Sequence, residues 1–477
     1  MTEKILSGEI SVVELVKEHI KLAKEIQEKT NAFITIFDGE TNKDQYDPLL
    51  HAQKLDELIK SSPPKAYGLE LLGIPFTVKD LYLVENTRTT FGSKLMEEFV
   101  APYTSTVVQK CLDAGAILIG KTNCDPWGFG STGENSGYGP TKNPHNLDYV
   151  PGGSSSGSPA SLAAGVGFFS LGTDTGGSVR LPAALCGLYS IKPTYGRNSR
   201  FGIGVMGSSF DTPGFFARHA EDIELLEGIM EGKDEHDPTT FEHSQAENSK
   251  SEIRNSKNYN LQPTTYTIGI PKEFFGDGLD PEIRQMIDSK IEKYKQAGHE
   301  IKEVSLSTLE YGLAAYYILV PAEISANRAR YDGVRYGKFV SEDYVQNMIE
   351  SRSKYFEDEV KRRIMIGTYV LSAGYSDQFY KKASKVRSKL KREFEKIFKE
   401  VDFIVAPAIP SKAPKLGENN DDPLKNYLLD IYNVTANLAG IPAIAIPLGF
   451  GNDEMPIGMQ IMGNWFCLLY TSDAADE

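Results

Sequence analysis

The stretch PGGSSSGSPASLAAGVGFFSLGTDTGGSVR, residues 151–180, contains two glycine- and serine-rich clusters separated by small apolar residues. Its only charged residues are Asp174 and the final Arg180. The run ASLAAGVGFFSLG between the clusters is too apolar for a solvated linker, so it predicts a tightly packed helix followed by a strand. Extended to residue 191, the pattern is glycine turn, helix, strand, glycine turn, helix. This alternation is typical of an α/β fold with a largely buried sheet.

The rest of the chain supports the same fold class. Ser11, with Glu14 three residues on, predicts a capped N-terminal helix, and Ser105 predicts another helix as far as Ala114. The predicted strands are Leu72–Val78, Ala116–Gly120, Tyr266–Ile270, Phe403–Ala406, Ala443–Pro447 and Ile457–Met462. The predicted long helices are Pro281–Ala297, Leu313–Tyr331, Glu357–Ser372 and Tyr380–Val401. The 477 residues allow two or three domains, although single large α/β domains also reach this length.

Composition excludes several classes of protein. The net charge is −14, so the chain has no overall basic footprint for nucleic acid, and a polyanionic partner would need a local basic patch or a second, basic subunit. The four cysteines form no CxxC pair, which argues against a disulfide scaffold or a zinc site and favours a reducing cytoplasm. We therefore expect no metal site. No apolar run is long enough to span a membrane.

One segment differs from the rest. Between Phe241 and Gln262 the only large aliphatic residues are Ile253 and Leu261. Such a polar segment buries too little apolar surface to offset the entropy of ordering. We expect residues 241–262 to be a polar surface insertion.

A nucleotide site is the first alternative to weigh. Residues 115–122, GAILIGKT, satisfy the P-loop pattern GxxxxGK[ST]. A P-loop needs its strand before the first glycine and a glycine-rich loop around the phosphates. Here the variable positions are themselves the predicted strand. This placement of the motif argues against nucleotide binding.

The second interpretation of the glycine-serine stretch is that it carries a catalytic nucleophile. Ser178 lies after a predicted strand and near the start of a predicted helix. The backbone N–H groups of Thr175, Gly176, Gly177 and Ser178 can point into one concavity, as in an oxyanion hole. The alternative is that Ser178 only caps the helix, because serine is a favoured N-cap residue.

The sequence does not suggest a Ser-His-Asp triad, because none of the seven histidines lies in or beside this stretch. A buried lysine with a lowered pKa can take the role of the base. Lys79 is the candidate. In IPFTVKD it ends a predicted strand, and a lysine there can face a site built at strand ends.

These motifs resemble the amidase signature family. The resemblance rests on PGGSSSGS at 151–158, LGTDTGGSVRLPAALCG at 171–187 and KPTYGR at 192–197, and it extends from about residue 10 to 466. It implies one large α/β domain over residues 1–466, with a mixed sheet flanked by helices on both faces. It also implies a triad of nucleophilic Ser178, bridging Ser154 in a cis peptide, and Lys79. Ser155 and Ser156 remain alternatives for the bridging serine.

Three further segments resemble one branch of that family, the glutaminase subunits of tRNA-dependent amidotransferases. They are YYILVPAEISANRARYDGVRYG at 316–337, EVKRRIMIGTY at 359–369 and DDPLKNYLLDIYNVTANLAGIPAIAIP at 421–447. The resemblance implies that Tyr316, Arg363 and Asp430 hold free L-glutamine. Arg363 can pair with the α-carboxylate and Asp430 with the α-ammonium. The simpler alternatives are packing for Tyr316 and solvated charges for Arg363 and Asp430.

The same resemblance implies partners. Ammonia would pass to a partner subunit that uses ATP and Mg²⁺ to amidate glutamate on tRNA, within a heterotrimer with subunits B and C. This chain would need no cofactor and would meet tRNA mainly through its partner. The alternatives are a general amidase and a non-catalytic scaffold subunit.

The end of the chain departs from the family pattern. After GNWF the sequence reads CLLYTSDAADE, residues 467–477. We expect these residues to be non-native and a C-terminal element to be missing.

Overall fold

The computed structural model describes residues 1–39, 46–61, 69–241, 265–419 and 422–467. The strands of this part of the chain form one sheet of eleven, in the order β1-β3-β2-β4-β6-β5-β10-β11-β9-β7-β8. Their bounds are β1 Phe33–Ile36, β2 Pro75–Lys79, β3 Ile117–Thr122, β4 Phe169–Asp174, β5 Tyr189–Lys192, β6 Thr212–Ala217, β7 Thr267–Pro271, β8 Glu300–Val304, β9 Phe403–Pro407, β10 Ala443–Phe450 and β11 Pro456–Gly463.

Fourteen α-helices lie within the described residues. They are α1 Thr2–Leu6, α2 Val12–Thr30, α3 Pro48–Ser61, α4 Thr106–Asp113, α5 Gly157–Ala163, α6 Arg180–Cys186, α7 Glu221–Met230, α8 Pro281–Gln296, α9 Gly312–Arg328, α10 Tyr344–Tyr355, α11 Asp358–Leu371, α12 Tyr380–Ile397, α13 Pro423–Leu428 and α14 Val434–Ala439. Short 3₁₀ turns occur at Lys94–Met96, Pro126–Gly128, Lys272–Phe275 and Leu309–Tyr311.

The sheet is mixed. Strand β2 pairs in parallel with β3 and β4, and β7 pairs in parallel with β8 and β9. The remaining pairs are antiparallel, among them β4 with β6 and β10 with β11. Every residue of the four adjacent strands β3, β2, β4 and β6 is buried, so this part of the sheet is covered on both faces. The predicted fold class, one α/β domain with a mixed sheet flanked by helices, is confirmed.

The elements predicted around the glycine-serine stretch form as expected. Helix α5, strand β4 and helix α6 follow one another between glycine-containing turns. The capping box at the start of α2 also forms, because the Ser11 hydroxyl accepts from Glu14 N and the Glu14 carboxylate accepts from Ser11 N. The helix predicted from Ser105 to Ala114 also forms, as α4 with Ser105 at its N-cap and Ala114 at its C-cap, but the Ser105 side chain makes no capping hydrogen bond.

Two predicted segments lie outside this description. The insertion at 241–262 does so apart from Phe241, and the tail at 467–477 does so apart from Cys467. Of the helices that the structure describes, none has the length and apolar character needed to cross a membrane.

Candidate active site

Lys79 ends β2, an interior strand between β3 and β4, and its side chain is completely buried. Its Nζ lies 2.8 Å from Ser154 Oγ, 3.0 Å from Ser155 Oγ and 2.8 Å from Thr173 Oγ1. Strand β2 pairs with β4, so the amine lies beside the strand that leads into the second glycine cluster. The structure therefore brings Lys79 and the first cluster into direct contact.

The charge on this lysine is disfavoured. Burial lowers the pKa of Lys79 to about 8, although acidic side chains such as Asp125, Asp211 and Asp174 oppose the shift. A lysine with this pKa is partly neutral near pH 8, so it can accept a proton.

Among the serines that follow Pro151, Ser154 best fits a bridging role. The Gly153–Ser154 peptide is cis, and the Ser154 hydroxyl is buried against Lys79. Ser155 also lies close to Lys79, but its hydroxyl donates to the carbonyl of Thr173. Ser156 contacts Thr141 Oγ1 instead.

Ser178 lies in the turn between β4 and α6, and its side chain is 9% exposed. Its hydroxyl makes no hydrogen bond to any residue that the structure describes. Asp174 stabilises the turn, because its carboxylate accepts hydrogen bonds from the N–H groups of Gly177 and Val179. Arg180 donates two hydrogen bonds of 3.0 Å to the Asp174 carboxylate, and this pair, Asp174 with Arg180, is called the brace below.

This brace is a buried ion pair. Burial alone would raise the pKa of Asp174, but the charge and hydrogen bonds of Arg180 outweigh it and hold the pKa at about 2. Arg180 also donates to Gln460, Asn437 and the Asn433 carbonyl. The turn that carries Ser178 is thereby tied to β11 and α14.

The four predicted oxyanion donors divide into two groups. The N–H of Gly177 is engaged by Asp174 at 2.9 Å. In the described part of the chain, the N–H groups of Thr175, Gly176 and Ser178 have no hydrogen-bond acceptor. The Thr175 hydroxyl donates to Asp211, which anchors the start of the turn. Three of the four N–H groups are thus available to a developing oxyanion.

Both glycines in the turn are required by close neighbours. A Cβ on Gly176 would lie 2.4 Å from the Tyr316 hydroxyl oxygen. Gly177 has φ +129°, and a Cβ there would lie 2.5 Å from Asn433 Cβ. The Gly176 contact places Tyr316 directly against the turn that holds Ser178.

The predicted substrate-binding residues converge around Tyr317. Its hydroxyl donates to Asp430 Oδ2 at 2.8 Å, and Ser131 Oγ donates to the same oxygen at 2.8 Å. The other oxygen, Asp430 Oδ1, has no hydrogen-bond donor among the described residues. Burial raises the pKa of Asp430 to about 6, against the effect of the hydrogen bonds from Ser131 and Tyr317.

Arg363 is buried on α11, facing the same group. Its guanidinium lies 5.2 Å from the Tyr317 ring and 5.4 Å from the Tyr427 ring, and those two rings stack at 4.2 Å. Glu359, one helical turn earlier, accepts from Arg363 Nε at 2.7 Å and from the Tyr427 hydroxyl. The neighbouring Arg362 has a side chain that is 42% exposed and also pairs with Glu359.

Several residues of this site were not predicted from the sequence. Tyr317, Ser131, Glu359 and Tyr427 carry ordinary sequence signals and acquire a role only through partners that are distant along the chain. Asp174 and Arg180 were visible as the only charges in residues 151–180, and that isolation was the available signal.

The P-loop match is excluded as a phosphate cradle. Gly120 and Lys121 lie inside β3, and Lys121 Nζ is buried 2.8 Å from Asp80. No group of three or more His, Cys, Asp or Glu side chains arranged to hold a metal ion occurs within the described ranges.

Comparison with known proteins identifies the family. The Amidase family model matches residues 14–466. The chain belongs to the amidase family. It is 46% identical over 471 residues to the A-subunit of the glutamyl-tRNA(Gln) amidotransferase of Clostridium botulinum (strain Eklund 17B / Type B), covering 97% of this chain and 92% of that protein. This amidase-family chain is accordingly an enzyme of the amidase and amidotransferase class.

Solved structures agree. The crystal structure of the glutamyl-tRNA(Gln) amidotransferase A-subunit from Thermotoga maritima superposes with a TM-score of 0.76 at 32% identity, covering 97% of this chain and 90% of that one. The structure of 6-aminohexanoate cyclic dimer hydrolase with its substrate superposes with a TM-score of 0.79 at 25% identity, over 99% and 94% of the two chains. The amidase fold thus carries more than one amide specificity, so specificity has to be argued from the pocket.

Proposed function

We propose that this amidase hydrolyses the side-chain amide of L-glutamine and supplies the ammonia to a tRNA-dependent amidotransferase. One observation carries the proposal: an arginine and an aspartate with an unengaged oxygen lie together beside the turn of Ser178. The names of the relatives with 46% and 32% identity support it.

The pocket suits a free amino acid. Arg363 can bind the α-carboxylate, and Asp430 Oδ1 can accept from the α-ammonium. Tyr316, whose hydroxyl lies against Gly176, can donate to the substrate next to the reacting amide. A hydrolase for uncharged amides has no use for a buried pair of opposite charges, because burying charges is costly.

The proposed reaction begins with a proton relay. Neutral Lys79 can donate to Ser155 and Thr173 while its lone pair accepts from the Ser154 hydroxyl. Ser154 in turn takes the proton of Ser178, whose oxygen attacks the amide carbon. The negative charge on the amide oxygen is met by the N–H groups of Thr175, Gly176 and Ser178, because that of Gly177 is engaged by Asp174.

Two bonds then break in sequence. The C–N bond of the tetrahedral intermediate cleaves, ammonia leaves with the proton returned through Ser154, and a γ-glutamyl ester remains on Ser178. Water attacks that ester, and Ser178 recovers its proton as glutamate leaves. The sum is glutamine plus water giving glutamate plus ammonia.

The assembly follows from the same proposal. Two partner subunits, B and C, complete a heterotrimer in which one partner uses ATP and Mg²⁺ and contacts the tRNA. The net charge of −14 suits a chain that meets tRNA mainly through that partner. Cys111, Cys124 and Cys186 are buried and form no disulfide, which supports work in the reducing cytoplasm.

The test is ammonia release from L-glutamine, L-asparagine and propionamide, with and without the partner subunits. Ser178→Ala is the blank, and Arg363→Gln is compared with Arg362→Gln, which removes the neighbouring, more exposed charge. We expect glutamine-selective release that Ser178→Ala abolishes and that only Arg363→Gln weakens strongly. Release from propionamide but not from glutamine would indicate a general amidase. No ammonia release from any of the amides, together with no acyl adduct on Ser178, would indicate a non-catalytic scaffold.

A further inference from the structure

Asp125 is a completely buried carboxylate that the proposed reaction does not use. Its Oδ1 accepts from Asn135 N at 2.9 Å and its Oδ2 from Gly133 N at 3.0 Å. These two hydrogen bonds join the beginning of the segment 125–135 to its end. A carboxylate that accepts from two backbone groups in this way fixes the path of the segment between them.

The segment carries Ser131, which faces two ways. Its hydroxyl donates to Asp430 Oδ2 at 2.8 Å, and its carbonyl accepts from Gly153 N at 2.8 Å. Ser131 therefore connects the carboxylate proposed for the substrate ammonium with Gly153, the residue before Ser154.

Asp125 contacts the other end of the Gly153–Ser154 unit. Its own N–H donates to the Ser154 carbonyl at 3.1 Å. Its Oδ2 lies so close that a Cβ on Gly153 would be only 2.2 Å away. The Gly153–Ser154 unit is thus held from both ends by one segment, and the Ser154 hydroxyl, 2.8 Å from Lys79, takes its position from that unit.

We propose that Asp125 is a positioning residue, which holds the segment 125–135 so that ammonium recognition at Asp430 and the placement of Ser154 depend on each other through Ser131. The inference rests on the proposed glutaminase function. Displacing a catalytic group by about 1 Å can cost about 100-fold in rate, so a segment that sets the position of Ser154 also sets the rate.

The experiment compares three variants of the full chain, together with its partner subunits, at pH 8.5. Asp125→Asn removes one of the two acceptors, and Ser131→Ala removes the hydroxyl but keeps the carbonyl. Asp56→Asn is the matched control, because Asp56 also accepts from two backbone groups, Val12 N and Val13 N, away from the site. The substrates are glutamine and glutaramate, which lacks the ammonium. A fluorophosphonate reports the reactivity of Ser178 without using the glutamine pocket.

With Asp125→Asn we expect kcat on both amides and the rate of fluorophosphonate labelling to fall about 10- to 100-fold, the effect of losing a hydrogen bond to a charged group. The KM for glutamine changes much less. With Ser131→Ala, kcat/KM falls by a larger factor for glutamine than for glutaramate, and labelling is slowed less than in Asp125→Asn. Asp56→Asn behaves as the unmodified chain.

Turnover and labelling of Asp125→Asn within twofold of Asp56→Asn would overturn the positioning role. Equal losses on glutamine and glutaramate in Ser131→Ala would overturn the connection to Asp430, and this variant decides the matter if Asp125→Asn does not fold. A chain that labels with fluorophosphonate but releases no ammonia from glutamine refutes the glutaminase function instead. The labelling rates of Asp125→Asn and Asp56→Asn still judge the positioning role in that case.

Discussion

At the scale of single residues, burial converts an ordinary lysine into a candidate base. Lys79 loses all contact with solvent at the end of β2, and burial lowers its pKa to about 8. Three hydroxyl groups replace the water it gives up. The sequence identifies the residue, while the change in its acidity depends on the packing around it.

This pKa predicts the pH dependence of the reaction. The neutral amine is the active form, so kcat/KM for glutamine should rise about tenfold per unit as the pH increases toward 8 and level off above it. Initial rates of ammonia release between pH 6 and 9.5 measure this, with Ser178→Ala as the blank. A rate that stays constant from pH 6 to 9 would contradict a lysine base with this pKa.

The close approach of Gly176 and Tyr316 predicts a sharp difference between two glycines. Gly176→Ala would place a methyl group 2.4 Å from the Tyr316 hydroxyl oxygen, so we expect activity to fall by at least tenfold. Gly228 is exposed in the last turn of α7, with no atom within 4 Å of the new methyl group. Gly228→Ala should keep full activity and raise stability by roughly 0.5–1 kcal/mol, because alanine favours the helix. Equal activities of the two variants would show that the turn yields easily.

At the scale of elements, the turn between β4 and α6 is held by the ion pair of Asp174 and Arg180. Each partner of a buried pair is stabilised mainly by the other, so removing one leaves an isolated charge. Arg180 also bonds to Gln460 of β11 and to Asn437 of α14. The brace therefore connects the nucleophile turn with elements that lie more than 250 residues further along the chain.

Asp174→Asn should destabilise the fold by about 3–5 kcal/mol. Because the folded pKa of Asp174 is depressed to about 2, its contribution is fully present above about pH 4 and lost as the pH falls toward 2. Urea unfolding at pH 7 and at pH 3 measures both effects. The control is Asp288→Asn in the exposed pair with Arg284, which should change stability by less than 1 kcal/mol. A similar change in the free energy of unfolding in both variants would contradict a stabilising role of the Asp174–Arg180 pair.

The sequence predicted elements well where local pattern and burial agree. The order α5, β4, α6 was predicted because the apolar run is flanked by glycine turns, and β9, β10 and β11 were predicted as apolar runs. Strands β1, β5, β6 and β8 were not predicted. β6 reads TPGFFA, with proline and glycine among its residues, and β8 reads EIKEV, which is partly exposed. Their pairing partners, rather than their composition, make them strands.

The residues of the site also divide into those that local sequence motifs identify and those whose partners lie far away along the chain. Lys79, Ser154 and Ser178 could be singled out from the sequence because glycine-serine motifs surround two of them and the motif at the end of a strand identifies the third. The structure places Lys79 against Ser154, and the roles of all three residues in the reaction stay predictions. Tyr317 and Ser131 could not, because each gains its role by bonding Asp430, 113 and 299 residues away. The roles of Tyr316, Arg363 and Asp430 remain predictions that the variants above test.

At the scale of the whole molecule, the proposed pocket joins segments from residue 79 to residue 430. A ligand that binds such a pocket stabilises the entire fold, because unfolding must release it. In Ser178→Ala, which cannot consume its substrate, glutamine at 100 times Kd should add about 2.7 kcal/mol to the free energy of unfolding.

Thermal unfolding with and without glutamine measures this effect. The double variant Ser178→Ala/Arg363→Gln should show almost none of it, whereas Ser178→Ala/Arg362→Gln should keep it. Stabilisation that persists without Arg363 would place glutamine elsewhere on the molecule.

The order of strands also bears on synthesis at the ribosome. Strand β11, residues 456–463, lies between β10 and β9, so in the described sheet β9, β7 and β8 reach the other strands only through it. Residues 267–407 leave the exit tunnel long before β11 does. Until then the growing polypeptide carries two incomplete sheets with open edges, which are prone to wrong pairing. Chaperone protection of the nascent protein is therefore most needed in the interval before residue 456 emerges.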